Sequence, residues 1–315
     1  MTSPLRNIVL ALILAITLGL IAWAVARLAQ PSAYAELRIA TWNLEWLVSP
    51  GSALAARIDC RARRRASLPC DVARSLARDS ADFRAIAAHA RRLDADVIAF
   101  QEVENAAVAR RVFRGYDICI APGEGMQHAG FAIRRGIAAR CEAPLQELTA
   151  GGRGRPGQPL TLLPPGGRPV ELLAVHLKSG CANDPLDSSS AACTLLAAQG
   201  RALGEWIAPR AANGSPFIVL GDFNRAGAPS PGDPFWTELG SASFEAAATH
   251  LPFRNCVFGS PYRAFIDHIL VSQDLVPQLH PHGFQQLRFE PATATRFRLP
   301  DHCPVSVSLS LTPAV

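Results

Sequence analysis

Six short apolar runs each adjoin a small group of polar side chains, and this repeated arrangement limits the folds that the chain can adopt. The runs span residues 39–45, 97–102, 173–178, 218–224, 265–270 and 300–305. In the first four the polar residues follow the apolar run, and in the last two they open it. If the runs are strands whose polar ends meet at one rim, the strands must run in both directions. The arrangement therefore favours an α/β fold with mixed or antiparallel sheets over a doubly wound parallel sheet.

Polar residues two positions apart recur at these run ends. Side chains two apart on a strand point to the same face, so they can act together where extended geometry persists. The pairs are Asn43 with Glu45, His176 with Lys178, and Asp222 with Asn224. His268 directly follows Asp267 and should point to the opposite face. A single Asp or Asn after a strand is usually a turn former, but six segments with the same pattern favour a functional site.

The rest of the sequence alternates short apolar runs with loops and candidate helices. Apolar residues at helical spacing predict a helix over residues 80–93, and a second helix is expected over residues 194–206. Strands are expected over residues 37–42, 96–100, 116–121, 130–134, 160–163, 170–177, 217–220, 266–271 and 305–311. A Pro-Pro-Gly-Gly turn at 164–167 predicts a hairpin between two of them. Because no linker-like stretch divides residues 36–315, we expect one domain.

Residues 1–35 have the composition of a targeting segment. Residues 7–26 carry no charge and follow Arg6, and an Ala-Tyr-Ala sequence of the small-x-small type ends at residue 35. This pattern is typical of an export signal, and the apolar run is also long enough to remain as a membrane anchor. We expect an exported protein, secreted or periplasmic, or one anchored to the membrane by residues 7–26. We expect no other contact with a membrane unless the substrate is a lipid.

Eight cysteines and the expected export together predict disulfide bonds, which persist in oxidising compartments. Eight cysteines allow many connectivities. Proximity favours Cys60–Cys70 and Cys181–Cys193, Cys119–Cys141 would join two candidate strands, and Cys256–Cys303 is the remaining pair. No Cys-x-x-Cys pair indicates a zinc ribbon or a thioredoxin-like site.

Composition and missing motifs exclude several other classes. With 49% hydrophobic and 18% charged residues, the chain is too apolar for an intrinsically disordered protein. A net charge of +5 is too small to indicate an obligate nucleic-acid binder. The sequence has no Gly-Lys-Ser/Thr phosphate loop, no Gly-x-Ser-x-Gly nucleophile elbow and no His-Glu-x-x-His zinc helix. The glycines of residues 151–157 lead into a hairpin, which argues against a dinucleotide-binding fingerprint.

The motifs at the six run ends, taken together, resemble the endonuclease/exonuclease/phosphatase superfamily. They are Trp-Asn-Leu-Glu (42–45), Gln-Glu-Val-Glu (101–104), His-Leu-Lys-Ser (176–179), Gly-Asp-Phe-Asn (221–224), Ile-Asp-His-Ile (266–269) and Asp-His-Cys-Pro-Val (301–305). The resemblance spans about residues 37–311 and is closest to an exported, bacterial-type member. It implies a DNase I-like fold, which is a four-layer α-β-β-α sandwich of two packed mixed or antiparallel sheets with the site at one rim.

The resemblance also implies a divalent-metal site. Glu102, with Asn43 and Glu45, would hold a hard cation, Mg²⁺ first and Mn²⁺ or Ca²⁺ as alternatives, because such ions prefer oxygen ligands. Asp301 would be a second metal ligand or an orienting carboxylate. The metal would neutralise charge on phosphoryl oxygens and stabilise the leaving oxygen.

The same resemblance implies catalytic roles for residues of the remaining motifs. His302, oriented by Asp267, and His176 would transfer protons on the two sides of phosphorus. Asp222 would position or deprotonate the attacking water. Asn224 would donate a hydrogen bond to a non-bridging oxygen.

One stretch departs from the pattern of DNase I-type nucleases. In those enzymes a glutamate pairs with the histidine that matches His176, whereas residues 126–130 read Met-Gln-His-Ala-Gly here. Gln127 or His128 at that position would leave His176 oriented differently. Lys178, the only lysine in the chain, is placed to contact a phosphate.

We expect an exported, monomeric phosphodiesterase with a nucleic acid, DNA first, as its substrate. Arginines that could neutralise backbone phosphates, or could simply be solvated, are Arg57, Arg61, Arg63, Arg64 and Arg65. An alternative is a sphingomyelinase-like or other lipid or sugar phosphohydrolase, for which apolar residues within 251–261 would contact a membrane. A third hypothesis is a catalytically inactive binding protein on the same scaffold. The joint presence of the candidate residues argues against the third.

Overall fold

Two six-stranded sheets form the frame of the protein in a computed structural model that describes residues 16–17, 36–52, 75, 77–121, 125–230, 232–247, 252–256 and 263–311. The strands are β1 Leu37–Leu47, β2 Val97–Val103, β3 Tyr116–Ile120, β4 His128–Arg134, β5 Ala139–Cys141, β6 Gln158–Leu162, β7 Val170–His176, β8 Phe217–Asp222, β9 Phe244–Ala246, β10 Asp267–Ser272, β11 Gln285–Gln286 and β12 Val305–Leu309. The helices are α1 Ser80–Leu93, α2 Ala106–Val112, α3 Ala191–Ala212, α4 Pro234–Glu238 and α5 Pro291–Arg296. Short 3₁₀ helices span Gln146–Thr149, Ser241–Ser243 and Val276–Gln278.

Each sheet contains a parallel pair of strands among antiparallel neighbours. The first sheet has the order β11-β12-β1-β2-β4-β3, and the second has the order β5-β6-β7-β8-β10-β9. β1 and β2 are parallel in the first sheet, and β7 and β8 are parallel in the second. The predicted hairpin is the antiparallel pair β6 and β7. The mixed sheets confirm the argument made from the directions of the polar strand ends.

Alternating apolar residues let each sheet bury both of its faces. Between the sheets, Ile39 and Phe131 of the first share a core with Leu172 and Ile269 of the second. The outer face of the first sheet packs against α1 and α2, and the outer face of the second packs against α3 and α4. The result is the four-layer α-β-β-α sandwich that the resemblance implied.

Capping residues set the ends of the two long helices. Asp79 begins α1 by accepting hydrogen bonds from the backbone of Ala81 and Asp82, which confirms the predicted helix over 80–93. Ser190 begins α3 by accepting a hydrogen bond from the backbone N–H of Cys193. The prediction of 194–206 was therefore too short, because the cap starts α3 earlier and the helix continues through Pro209.

The strands at the rim leave regular geometry where their polar residues begin. Glu45 (φ 44°), Glu102 (φ 62°) and Asn224 (φ 50°) all have left-handed backbone conformations. The register of β1 against β2 shifts between Asn43 and Leu47, so β1 bulges at this point. The backbone is therefore not extended through Asn43 and Glu45, or through Asp222 and Asn224, so neither pair projects its side chains to the same face as a regular strand would.

Disulfide bonds confirm three of the predicted cysteine pairs. Cys119–Cys141 joins β3 of the first sheet to β5 of the second, Cys181–Cys193 joins the loop after β7 to α3, and Cys256–Cys303 holds the segment before β12. Their Cα–Cα separations of 5.7, 5.1 and 5.4 Å suit disulfide geometry. The fourth predicted pair, Cys60–Cys70, lies outside the described residues.

The predicted leader, residues 1–35, also lies outside the described residues apart from 16–17, as does the arginine-rich stretch at 57–65. Within the part of the chain that the structure describes, no helix combines the length and the apolar character needed to cross a bilayer.

Candidate active site

The polar ends of six strands meet at one rim of the sandwich. The C-terminal ends of β1, β2, β7 and β8 and the N-terminal ends of β10 and β12 carry the side chains that the sequence singled out. Asn43 lies between the two sheets at this rim. Its Nδ2 donates to Oδ2 of Asp222 at 2.9 Å and lies 3.2 Å from Oε1 of Glu102. One carboxamide therefore connects a carboxylate of each sheet.

The bulge in β1 orients the carboxylate of Glu102. Oε2 of Glu102 accepts the backbone N–H of Trp46 at 3.0 Å, and Oδ1 of Asn43 accepts the backbone N–H of Glu45 at 2.9 Å. These bonds turn the chain so that the Asn43 and Glu102 side chains meet while Glu45 points elsewhere.

Glu45 instead contacts a buried arginine that the sequence analysis missed. Nη2 of Arg78 lies 3.0 Å from Oε2 of Glu45, and the Arg78 side chain is 1% exposed. Arg78 also donates to the carbonyl groups of Leu44 and Arg298 at 2.9 and 2.8 Å. Oε2 of Glu45 accepts the backbone N–H of Asp301 at 3.1 Å. The Arg78–Glu45 pair thus fixes both the bulge and the start of the Asp301 segment.

Burial and neighbouring carboxylates make the ionised form of two carboxyl groups at the rim costly. Burial, followed by repulsion from Asp301, raises the pKa of Glu45 to about 7 in spite of Arg78. Burial also raises the pKa of Asp222 to about 7, and the nearby Asp267 adds to the rise against the opposing effect of His302. A bound cation would relieve this repulsion.

The donors at the rim fit a hard divalent cation. Glu102 and Asp301 offer carboxylate oxygens and Asn43 an amide oxygen, which Mg²⁺ prefers, whereas Glu45 is paired with Arg78. Among the described residues, no three His, Cys, Asp or Glu side chains form a group that could hold a metal ion by themselves. Mg²⁺ usually keeps several waters and takes one or two carboxylates together with substrate phosphate, so an open set of this kind suits it.

His302 is held by a carboxylate of the second sheet. Nδ1 of His302 lies 2.6 Å from Oδ2 of Asp267, and the His302 carbonyl accepts the indole N–H of Trp42 at 3.1 Å. Burial alone would lower the pKa of His302, but Asp267, with Asp301 and Asp222, raises it well above its usual value. The imidazole is therefore a cation near neutral pH, with Nδ1–H donating to Asp267.

His176 has a contrasting environment. Its Nε2 lies 3.6 Å from carboxylate oxygens of both Glu102 and Asp222, which is too long for a hydrogen bond. Its Nδ1 is buried and has no hydrogen-bond partner within the described part of the chain. Burial and the positive charge of Arg155 lower the pKa of His176 well below its usual value, so the imidazole is neutral.

The residues at 127 and 128 account for the missing partner of His176. Oε1 of Gln127 accepts a hydrogen bond from Nη2 of Arg155, and Nδ1 of His128 lies 3.1 Å from the carbonyl of Val103. Neither side chain pairs with His176, so the departure noted in the sequence alters the surroundings of this histidine. In DNase I-type nucleases a glutamate pairs with the matching histidine, whereas here Gln127 binds Arg155.

Asp222 and Asn224 are linked by the turn that follows β8. Oδ1 of Asp222 accepts the backbone N–H of Asn224 at 2.8 Å. Nδ2 of Asn224 donates to the carbonyl of Leu177 at 3.1 Å, which leaves its second amide hydrogen for another acceptor. His268 faces away from this site: its Nε2 lies 2.9 Å from the carbonyl of Arg225, and its ring packs on Trp236.

Arg78 and Arg155 are the charged residues of the site that sequence reasoning missed. Arg155 lies in the Gly/Pro/Arg-rich stretch after β5, which reads as an ordinary surface loop, yet its charge acts on Glu102 and Asp222. Arg78 immediately precedes the Asp79 cap of α1 and belongs to no motif. The sequence offers no local signal for either role, because each depends on contacts between distant segments.

Comparisons with known proteins identify the family to which the sequence is similar. The sequence matches the Endonuclease/Exonuclease/phosphatase family over residues 40–283. No curated protein matches it significantly.

Solved structures similar to this chain share its fold. Truncated TDP2 from Caenorhabditis elegans superposes with a TM-score of 0.57 at 15% identity, covering 87% of this chain and 98% of that one. A 3'-5' exonuclease, NExo, from Neisseria meningitidis gives 0.55 at 16% identity, with 87% and 100% covered. D. rerio TDP2 complexed with single-strand DNA product gives 0.52 at 15% identity, with 87% and 98% covered.

These matches support a phosphoester hydrolase with a DNase I-like fold. Members of the matched family generally depend on divalent metals, in keeping with the oxygen donors at the rim. On its sequence match and its fold, the chain belongs to the Endonuclease/Exonuclease/phosphatase family.

Proposed function

We propose that the protein is a divalent-metal-dependent phosphodiesterase that hydrolyses nucleic acid, with DNA as the first candidate, by attack of water on phosphorus. The observation that carries the proposal is the buried His302–Asp267 pair beside Asp222. Asp267 and Asp222 are direct partners in the β8–β10 ladder, and Asn43 links Asp222 to Glu102. A proton donor, a proton acceptor and oxygen ligands therefore share one rim.

The proton transfers follow from the charges of the two groups. Asp222 accepts a proton from the attacking water, because a pKa of about 7 makes its carboxylate a suitable base near neutral pH. The water oxygen forms the new bond to phosphorus. His302, kept protonated by Asp267, gives a proton to the ester oxygen as its bond to phosphorus breaks. The products are a phosphomonoester and an alcohol.

The remaining side chains bind and orient the phosphate. A divalent ion on Glu102 and Asn43, with Glu45 or Asp301 as further ligands, would neutralise charge on the phosphoryl oxygens. Asn224 has an amide hydrogen available for a non-bridging oxygen. Neutral His176 lies beside Glu102 and Asp222 and would donate a hydrogen bond to the phosphate without adding charge.

An anionic polymer is the substrate class that the second-sheet side of the rim favours. Arg155 and Lys178 provide two cations next to the acidic cluster, and such cations bind backbone phosphates. The similar structures include an exonuclease and a TDP2 bound to a single-strand DNA product, which supports nucleic acid. The disulfides also support the proposal that the protein is exported.

The lipid alternative has less support. Of the apolar residues proposed for membrane contact, Phe253 is described, and its ring packs edge to face on Phe265 with centroids 5.2 Å apart. It joins the core between the sheets and is not a free apolar tip. Leu251, Val257 and Phe258 lie outside the described residues.

A substrate panel tests the proposal. The purified protein is incubated with plasmid DNA, RNA, a generic phosphodiester and sphingomyelin, each with Mg²⁺, with Mn²⁺ or with a chelator. We expect cleavage of DNA that needs the metal and falls about 10³-fold in His302→Ala and in Asp222→Asn. His280→Ala, at the opposite end of β12, is the matched control and should retain activity. Metal-independent turnover, or turnover that survives both substitutions, would contradict the mechanism.

A further inference from the structure

Gln199 is a buried polar residue that joins two loops of the site. It lies on α3 and is 0% exposed among mainly apolar neighbours. Its Oε1 accepts the backbone N–H of Lys178 at 2.8 Å, and its Nε2 donates to the carbonyl of Leu148 at 2.9 Å. Both ends of one carboxamide are therefore used, one on each loop.

The first of these loops, residues 145–157, carries Arg155 and is called the arginine loop here. Leu145 and Gly157 close it with a pair of backbone hydrogen bonds of 2.8 and 3.1 Å. Gly154, next to Arg155, packs directly on the carboxamide, because a Cβ at Gly154 would lie 2.6 Å from Nε2 of Gln199. The position of the arginine loop therefore depends on Gln199.

The second, residues 176–178, runs from His176 to Lys178 and is called the lysine segment. The backbone N–H of Leu177 donates to the carbonyl of Asp222 at 2.9 Å, and its carbonyl accepts Nδ2 of Asn224 at 3.1 Å. Gln199 supplies the next bond, to Lys178. The carboxamide thus extends the hydrogen bonding of the active site outward to the arginine loop.

The two cations that these loops carry lack carboxylate partners. Arg155 donates to Oε1 of Gln127, and Nζ of Lys178 donates to the carbonyl of Ser179 at 2.9 Å. Among the described residues, no carboxylate lies within salt-bridge distance of either one. Burial and repulsion by Arg155 also lower the pKa of Lys178, so the two cations are close enough to repel each other. An anion between them would remove that repulsion.

We infer that Gln199 is a positioning residue of the active site, whose buried carboxamide sets the spacing between Arg155 and Lys178 for a substrate phosphate. This inference rests on the proposed function. A carboxamide is required because the side chain must accept the backbone N–H of Lys178 and donate to the carbonyl of Leu148 at the same time. An apolar side chain of the same length leaves a buried N–H and a buried carbonyl unsatisfied, and the two loops can then separate.

Steady-state kinetics of Gln199→Met, Arg155→Met and the double variant test the inference. With DNA as substrate, we expect each single variant to raise KM about tenfold with a much smaller change in kcat, since a lost bond to a charged group has about this effect. The double variant should match Arg155→Met, because Gln199 acts through the loop that carries Arg155. If the two changes multiply instead, Gln199 acts independently of Arg155 and the inference is wrong.

Two further variants separate positioning from a loss of stability. Gly154→Ala keeps every hydrogen-bonding group, but its Cβ would lie 2.6 Å from Nε2 of Gln199 and 2.7 Å from the carbonyl oxygen of Leu148. It therefore forces apart the bond that ties the arginine loop to Gln199, and it should raise KM as Gln199→Met does. Ser272→Ala removes another buried side-chain acceptor, the one that binds the backbone N–H of Phe217 at 3.1 Å at the far end of β8. It should lower the melting temperature and leave KM unchanged. An unchanged KM in both Gly154→Ala and Gln199→Met overturns the inference.

Binding of inorganic phosphate provides a readout that does not need turnover. Phosphate that occupies the site raises the melting temperature with concentration, and the midpoint gives its affinity. Gln199→Met should weaken this affinity about tenfold, and Ser272→Ala should not. If the protein cleaves no phosphodiester but binds phosphate in this Gln199-dependent way, the proposed function fails and the positioning role stands. If phosphate affinity is the same with and without Gln199, the positioning role fails even where DNA is cleaved.

Discussion

The two halves of the rim, one from each sheet, differ in how their charged side chains are paired. In the first sheet, Glu45 pairs with buried Arg78, which is also saturated by backbone carbonyls, and Oδ1 of Asp301 lies 3.9 Å from Nε2 of His302. In the second sheet, Arg155 and Lys178 are bound only to neutral oxygens within the described residues. Carboxylates therefore outnumber cations in the first half, whereas the two cations of the second half have no carboxylate within salt-bridge distance among the described residues, although the charge of Arg155 acts on Glu102 and Asp222.

The difference indicates which ligands would complete the site. Unpaired charge that is partly withdrawn from water is costly, so such an arrangement persists where a ligand compensates it. A divalent cation suits the first half and a phosphate suits the second. Asp222 and His302 lie at the boundary between the halves. They would then lie beside the phosphorus atom of a phosphate that contacts both the cation and the second half.

The largest expected effect comes from breaking the pair at the boundary. In Asp267→Asn, the amide can no longer stabilise the His302 cation and can donate to Nδ1, which favours the wrong tautomer. We expect kcat for DNA cleavage to fall about 10³-fold with little change in KM. Steady-state kinetics measure both constants, and circular dichroism checks the fold. A kcat within about threefold of the parent would show that the pair is not the proton donor.

The next largest effect concerns stability and comes from removing Arg78, whose guanidinium binds Glu45 and several backbone carbonyls. In Arg78→Met, Glu45 loses the cation that opposes its repulsion from Asp301, and several buried carbonyls lose their donor, so we expect the free energy of unfolding to fall by about 3–5 kcal/mol. The matched control is Arg92→Met, which removes an exposed pair with Glu290 whose side chains are 48% and 61% exposed. The control should change stability by no more than about 1 kcal/mol. Urea denaturation with a chelator present compares the two variants, and equal losses would contradict the difference in burial.

The sandwich could be predicted from the sequence because the signals for it are local. Polar strand ends gave the two strand directions, and each apolar run became a strand within a few residues of its expected bounds. The predicted ends of the first two strands, at residues 42 and 100, were too early. Glu45 and Glu102 have left-handed backbone conformations, and their residue types give no signal for a bulge. A bulge is fixed by the hydrogen bonds that the side chains make once the strands pair.

The cations of the site could not be predicted, because nothing local marks them. Arg155 resembles a surface arginine in a glycine-rich loop, and its position depends on Gln127 and on contacts with α3. Arg78 donates to carbonyl groups of segments before and after it in the chain, including that of Arg298. Such contacts exist only after the sheets have packed, so motif spacing carries no information about them.

His89 is a buried histidine that, unlike His302, has no carboxylate within salt-bridge distance among the described residues. His89 packs on Phe289 and Trp42, its Nε2 lies 3.0 Å from the carbonyl of Leu287, and burial lowers its pKa to about 4. Because its folded pKa lies below the ordinary value of 6.5, its contribution to stability is complete above pH 6.5 and is lost as the pH falls toward 4. The loss should amount to about 3 kcal/mol. His89→Gln should show less pH dependence of unfolding over this range, and an unchanged dependence would assign the effect to other groups.

The smallest expected effect concerns the cations of the second half. If Arg155 and Lys178 each neutralise a backbone phosphate, the logarithm of KM for single-stranded DNA rises with the logarithm of the salt concentration, and removing one cation lowers the slope by about 0.7. Arg155→Met and Lys178→Met should each show this decrease. Arg168→Met, at the opposite end of the second sheet where Arg168 donates to the carbonyl of Gly214, should keep the parent slope. KM measured at several salt concentrations decides the matter, since a slope that survives both substitutions means that the second half does not hold the phosphates.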